Sequence, residues 1–312
     1  MPATVHVSES TRTSLRVIIT IAALVVLLVP IAFSVAHGAS RLNYTKLEVT
    51  EPLSTSITDL KFDLDTSASV VVKTSDTDQP SVRLNATGPR DEIPKLQVRK
   101  SGPASTISVD DHKQLENSQI EVILPAETSK KMKLDFKGGF GAINIAGDYQ
   151  EIVAKTDGGS VEVSGSAESV QTSTDYGMTE LSGTFGTVES KTGVGTINGT
   201  NLNVREHVDA VTSTGTIDLD FSNDTVPMSG IVAKADEGTI DLRLPRLDLA
   251  QEKMDAKDLF YRINANSNQG GVDLAKDLKK YDASKNSKDD EDKTIIPVAV
   301  SADTGTITIE QN

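Results

Sequence analysis

The chain has 312 residues, a formal net charge of −14, no Cys, no Trp and only 4% aromatic residues. The absence of Cys excludes disulfides and thiolate metal sites. The acidic charge, with no basic patch, argues against a nucleic-acid partner.

The N-terminal part of the chain predicts a membrane segment. Residues 17–36 form a run of twenty residues without a charge, preceded by Arg12 and Arg16. This run is long enough to cross a bilayer as a helix, which would leave residues 1–16 as a short cytoplasmic tail and the rest of the chain outside. A cleaved signal sequence and a secreted protein are the alternative, although the run exceeds the usual apolar region of a signal peptide.

Residues 41–133 predict short, irregular strands. The segments 60–64, 70–72 and 120–124 alternate apolar and polar side chains, which is typical of half-buried strands. We expect this region to begin the repeat array that follows or to cap it, because an open end exposes unpaired backbone groups.

Residues 134–312 contain eight copies of one pattern. Each copy has two segments that alternate at period two, joined by a turn that ends in glycine. The copies begin at Leu134, Ile152, Val170, Val188, Val208, Ile231, Ile263 and Val298. A strand, turn and strand repeated at a short fixed period predicts stacking. The chain is therefore predicted to be an all-β, single-stack β-solenoid (β-helix) of eight coils, preceded by one transmembrane helix.

The turns explain the recurrent Asp and Gly residues. Asp, Asn and Ser bond the nearby backbone, and Gly adopts positive φ without steric cost. The structural turn positions are Asp157, Gly159, Asp175, Gly177, Gly195, Gly215, Asp236, Gly238, Gly270, Asp303 and Gly305.

Two charged inserts, 246–262 and 276–293, interrupt the later coils. The first contains a possible short helix at 249–260, and the second has the composition of a solvated loop. The last coil, Val298 to Ile309, has little sequence after it. We expect one of the inserts to cover it, or two chains to associate there.

An outward column of mainly acidic side chains is the candidate ligand-binding feature. It contains Glu162, Glu180, Asp218, Asp241 and Asp273. Oxygen ligands suit calcium or magnesium, which could bridge to an anionic envelope polymer. A solubilising face is the alternative, in keeping with the net charge.

Catalysis is not predicted. Lys155 and Asp157 could suggest proton carriers, but Gly193, Ser213 and Asn268 fill the same turn position as the aspartates. A glycan-processing site would also be expected to offer aromatic platforms, which the chain is predicted to lack.

The segments Val153 to Gly165 (VAKTDGGSVEVSG), Ser213 to Leu219 (STGTIDL) and Ile120 to Pro125 (IEVILP) resemble the bacterial putative-adhesin family of β-strand repeats. The resemblance covers roughly residues 41–312. It implies a surface-exposed, often membrane-anchored β-solenoid, and it implies no catalytic residue.

The sequence therefore predicts a membrane-anchored, extracytoplasmic surface protein of adhesin or envelope-structural type. A surface glycan or envelope polymer is the expected partner. An envelope sensing or stress-response component with a membrane partner is the alternative, and a glycan-processing β-helix enzyme is the less favoured one.

Overall fold

The computed structural model describes residues 43–64, 68–90, 95–110, 115–256, 258–285 and 293–312. The predicted tail, 1–16, and the predicted membrane segment, 17–36, lie outside these residues. Within the described ranges, no helix is long and apolar enough to span a bilayer.

The described chain is mostly β. The strands are β1 (Tyr44–Pro52), β2 (Asp59–Leu64), β3 (Ser69–Ser75), β4 (Ser81–Pro89), β5 (Lys95–Ser101), β6 (Ala104–Asp110), β7 (Glu116–Pro125), β8 (Lys133–Phe221), β9 (Gly230–Leu244), β10 (Leu259–Leu274) and β11 (Thr294–Gln311). The helices are α1 (Ala126–Ser129) and α2 (Leu247–Met254), and 3-10 turns occur at Lys279–Tyr281 and Ala283–Lys285.

The repeats lie side by side in register. Within β8, side chains 18 residues apart touch: Asn144 Nδ2 donates to Glu162 Oε2 over 2.7 Å, and Thr172 Oγ1 donates to Ser190 Oγ over 2.8 Å. The end of β8 pairs in parallel with β9, where Val208 faces Ile231. Equivalent positions of successive copies therefore form columns, as the sequence repeat predicts.

The spatial order of the last copies differs from their order in the chain. β11 pairs in parallel with β9 on one side and with β10 on the other, so that Val298 faces both Ile231 and Ile263. The expectation that the C-terminal copy forms the open end is wrong, because β10 occupies that position.

The second insert is not simply a solvated loop. After β10 the chain turns back to form a parallel bridge between Ile263 and Asp282. Leu278 and Tyr281 are buried, and the Tyr281 ring meets the Phe260 and Tyr261 rings edge-on at 4.8 and 5.6 Å between centroids. The first half of the insert thus packs on β10, while residues 286–292 lie outside the described ranges.

The first insert contains a helix, as predicted, but α2 begins and ends earlier than expected. Its Leu247 and Ala250 are buried. Tyr261, buried at the start of β10, donates from its hydroxyl to the Pro245 carbonyl oxygen over 2.9 Å. These contacts fix the connection between β9 and β10.

The spatial order of the N-terminal strands also differs from their order in the chain. β2 and β3 pair in parallel with the start of β8, where Leu60 faces Leu134 and Val70 faces Ile143. On their other side they pair in parallel with β6 and β7. The antiparallel strands β4, β1 and β5 complete this end.

The core is mainly aliphatic, but it also contains aromatic and hydroxyl side chains. Phe62 and Phe136 stack at 4.2 Å between ring centroids. Buried hydroxyl side chains also run through the middle repeats, where Thr174 Oγ1 donates to Thr192 Oγ1 over 3.2 Å. Burying a hydroxyl costs free energy unless it is hydrogen-bonded, and neighbouring repeats supply the partner here.

Candidate binding surface

The turn glycines form a continuous column. A Cβ atom on Gly177 would lie 1.8 Å from the Gly159 carbonyl oxygen, and one on Gly159 would lie 1.9 Å from that of Gly141. The same contact continues through Gly195, Gly215, Gly238, Gly305 and Gly270. The chain thus needs glycine at this corner because successive backbones approach too closely for any side chain.

The residues just before these glycines form a second column, and it changes character along the stack. In spatial order they are Phe140, Gly158, Tyr176, Val194, Thr214, Glu237, Thr304 and Gln269. Phe140 is 59% exposed, Tyr176 is 63% exposed and Val194 is 48% exposed. Met178, one residue beyond Gly177, is 38% exposed. We call Phe140, Tyr176, Met178 and Val194 the aromatic corner.

Gly158 makes the aromatic corner continuous. A Cβ atom at this position would lie 2.6 Å from Cδ1 and from Cε1 of the Phe140 ring, and 3.5 Å from the Tyr176 carbonyl oxygen. The Phe140 ring therefore leans across the backbone of the next repeat, toward the repeat that bears Tyr176. The absence of a side chain at 158 is what allows this arrangement.

A polar cleft adjoins the aromatic corner. It has a volume of ≈ 500 Å³, and its polar side chains are Lys137, Lys155, Thr156, Asp157, Ser173 and Asp175. Thr156 is buried and its hydroxyl donates to the Gly158 carbonyl oxygen over 3.0 Å, which holds the turn. The cleft therefore combines two cations, two carboxylates and two hydroxyls, and Lys137 and Thr156 also lie beside Phe140.

The predicted acidic column is present as neighbouring positions, but other side chains engage parts of it. Glu162 accepts from Asn144, and Arg243 lies 3.4 Å from both Asp218 and Asp220. Asp241 faces Asp218 on one side and Thr308 on the other, and Thr308 separates it from Asp273. Within the described ranges, no three His, Asp or Glu side chains are grouped so that they could hold a metal ion.

Another part of the surface brings together titratable groups that the sequence did not indicate as neighbours. Glu189, His207 and Asp209 line a groove of ≈ 290 Å³. The hydrogen bond from Lys191 lowers the pKa of the Glu189 carboxyl, with a smaller contribution from Gln171, which donates over 3.1 Å. The same bond raises the pKa of Lys191. Glu189 is thus stabilised as an anion by an exposed ion pair, which does not suit it to act as a general acid.

The expectation that the chain lacks aromatic platforms is wrong. Phe140 and Tyr176 stand on the surface two repeats apart, each directly before a turn glycine. Their spacing of 36 residues is visible in the sequence. It is hidden when only the buried, alternating positions of each repeat are compared.

No family model matches the chain, and no curated protein matches it. Solved structures similar to it include the following two. One is a putative adhesin from Bacteroides fragilis, which is 16% identical with a TM-score of 0.43. The match covers 86% of this chain and 98% of the adhesin. The other is a putative cell adhesion protein from Clostridium sporogenes, which is 11% identical with a TM-score of 0.24. The match covers 86% of this chain and 100% of that protein's chain.

Proposed function

We propose that the protein is an adhesion-type surface module, a β-solenoid held outside the cytoplasm by residues 17–36, and that it acts by binding rather than by catalysis. The observation that carries the proposal is the aromatic corner. Large apolar side chains exposed together and bordered by polar groups mark interaction sites, whereas scattered ones need no explanation. Four of the five large hydrophobic residues that are exposed within the described ranges belong to this corner.

The parallel register supports the solenoid. Each repeat adds one strand spacing of about 4.8 Å, so the copies present equivalent side chains at regular intervals. Such stacks offer extended surfaces rather than deep pockets, and binding is the usual use of extended surfaces. Gly193, Ser213 and Asn268 fill the position of the turn aspartates in other copies, which weakens the argument that these aspartates are catalytic.

The proposal is tested with the full chain expressed in a bacterial host. Protease treatment of intact cells would measure its location, and retention of the cells on coated surfaces or host-cell layers would measure adhesion. We expect residues 43–312 to be degraded from outside, and adhesion to fall in the double variant Phe140→Ala/Tyr176→Ala. Val272→Ala is the control, because Val272 is 42% exposed but lies on β10, away from the aromatic corner. Full protection from protease, or equal adhesion by all three chains and by the empty host, would contradict the proposal.

A further inference from the structure

We infer that the aromatic corner and its polar cleft form a binding site for an extended, neutral, β-linked glycan that runs along the stack, across the strands. The inference rests on the proposed function and names the ligand class of that surface. It depends on three features of the site: the spacing of the rings, the balance of charge in the cleft and the small extent of the apolar surface.

The spacing of the rings fits alternate sugars. Phe140 and Tyr176 are two repeats apart, which places their backbones about 9.6 Å apart at the usual strand spacing. In an extended β-linked glycan, alternate pyranose rings present their C–H faces in the same direction, and successive rings advance by about one strand spacing. One sugar can therefore stack on Phe140 and the next but one on Tyr176. Gly158, in the intervening repeat, has no side chain, and the edge of the Phe140 ring lies over it.

The cleft supplies partners for hydroxyl groups. Asp157 and Asp175 can accept hydrogen bonds, Lys137 and Lys155 can donate them, and Ser173 can do either. Sugar hydroxyls need both kinds of partner. The two lysines and two aspartates leave the cleft without a net charge, and the whole chain has a net charge of −14. A polyanion would therefore gain little electrostatic attraction by binding there.

The extent of the corner favours a narrow ligand over a protein. From Phe140 to Val194 the corner spans three repeat spacings, or about 14 Å. A stable protein interface buries about 800 Å² on each partner, which requires a face about 28 Å on a side. A single polysaccharide strand needs only the width of one sugar ring, which matches a column one residue wide.

Calorimetry with cellohexaose, a soluble β-1,4-linked probe, tests the inference. We expect binding by the full chain in detergent, about tenfold weaker binding in Phe140→Ala and in Tyr176→Ala, and none in the double variant. Tyr176→Phe keeps the ring and should retain most of the affinity, and Val272→Ala should bind as the parent does. Maltohexaose, which has the same sugar but a curved α-linked chain, should bind at least tenfold more weakly, and heparin should not compete.

The inference is overturned if cellohexaose does not bind at millimolar concentration, or if the ring substitutions leave its affinity unchanged. Equal affinity for maltohexaose, or preference for heparin, would also overturn it. If cells adhere through the corner and no glycan binds, the glycan inference fails and the proposed function stands. If cellohexaose binds and cells do not adhere, the adhesion proposal fails.

Discussion

Gly177 lies so close to Gly159 that a Cβ atom on Gly177 would be 1.8 Å from the Gly159 carbonyl oxygen. The contact is between two backbones, so no change of side-chain rotamer can relieve it. Gly177 also has φ of +140°, which other residues rarely adopt. The glycine column thus sets how closely the repeats can stack at this corner.

We expect Gly177→Ala to lower the free energy of unfolding by more than about 3 kcal/mol, because it combines backbone strain with overlap of backbone atoms. Thermal unfolding followed by circular dichroism would measure this. Gly139→Ala is the matched control, since a Cβ atom there has no neighbour within 4 Å. Equal melting temperatures for the two variants would show that the column does not limit stacking.

Thr179→Val should stabilise the fold. Thr179 is fully buried, and its hydroxyl has no hydrogen-bond partner among the described residues. Valine has nearly the same shape, so the substitution removes an unpaired polar group and should gain about 1 kcal/mol. Urea denaturation would measure the gain.

Thr174→Val is the contrasting variant, because the Thr174 hydroxyl donates to Thr192 over 3.2 Å. Its loss leaves the Thr192 hydroxyl without this donor, and we expect the variant to be less stable than the parent. The prediction for Thr179 is contradicted if Thr179→Val lowers the unfolding midpoint, and the prediction for Thr174 is contradicted if Thr174→Val raises it.

Acid should remove the contribution of the Glu189 to Lys191 ion pair. The pKa of Glu189 is lower in the folded protein than its ordinary value of 4.5, so the folded state favours the charged carboxylate. The resulting stability is present above pH 4.5 and is lost as the pH falls through the folded pKa. The raised pKa of Lys191 keeps the pair charged up to and beyond pH 10.5.

Melting temperatures of the parent and of Glu189→Gln between pH 3 and pH 8 would test this. The parent should melt slightly higher near neutrality, by a small margin because the pair is exposed to solvent. The two curves should converge in acid. A difference that grows as the pH falls would assign the stabilisation to another group.

Calcium should not stabilise the protein beyond the general effect of salt. Asn144 already donates to Glu162, and Arg243 lies 3.4 Å from both Asp218 and Asp220, so these carboxylates have partners other than a metal ion. We expect the same melting temperature in calcium chloride and in sodium chloride of equal ionic strength. A rise specific to millimolar calcium would restore the cation hypothesis for the acidic column.

The repeat itself could be predicted from the sequence, because strand alternation and turn glycines both depend on local rules. Gly159 and Gly177 lie where the pattern places them, in one column. The position of β11 between β9 and β10 could not be predicted. Each copy has the same apolar pattern, so the pattern does not distinguish between possible neighbours. Val298 lies between Ile231 and Ile263, although chain order would place Ile231 beside Ile263. Order along a stack of similar units depends on the connections, and here the connections before and after β10 contain α2 and the packed half of the second insert.

The aromatic corner was missed for a different reason. Periodicity identifies buried positions, whereas Phe140 and Tyr176 lie at exposed turn positions. Comparing the turn positions of successive repeats, rather than the buried positions, would have shown that they share a column.

The insertion of β11 between β9 and β10 has a consequence for synthesis. Among the described residues, β10 has one neighbouring strand, and that strand, β11, is made after β10. When β10 leaves the ribosome it has no strand beside which to settle, and β9 has an open side at the same time. The stack can close only after β11 has been synthesised, so a chain that stops before β11 would leave two unsatisfied strand edges and be prone to aggregation or proteolysis.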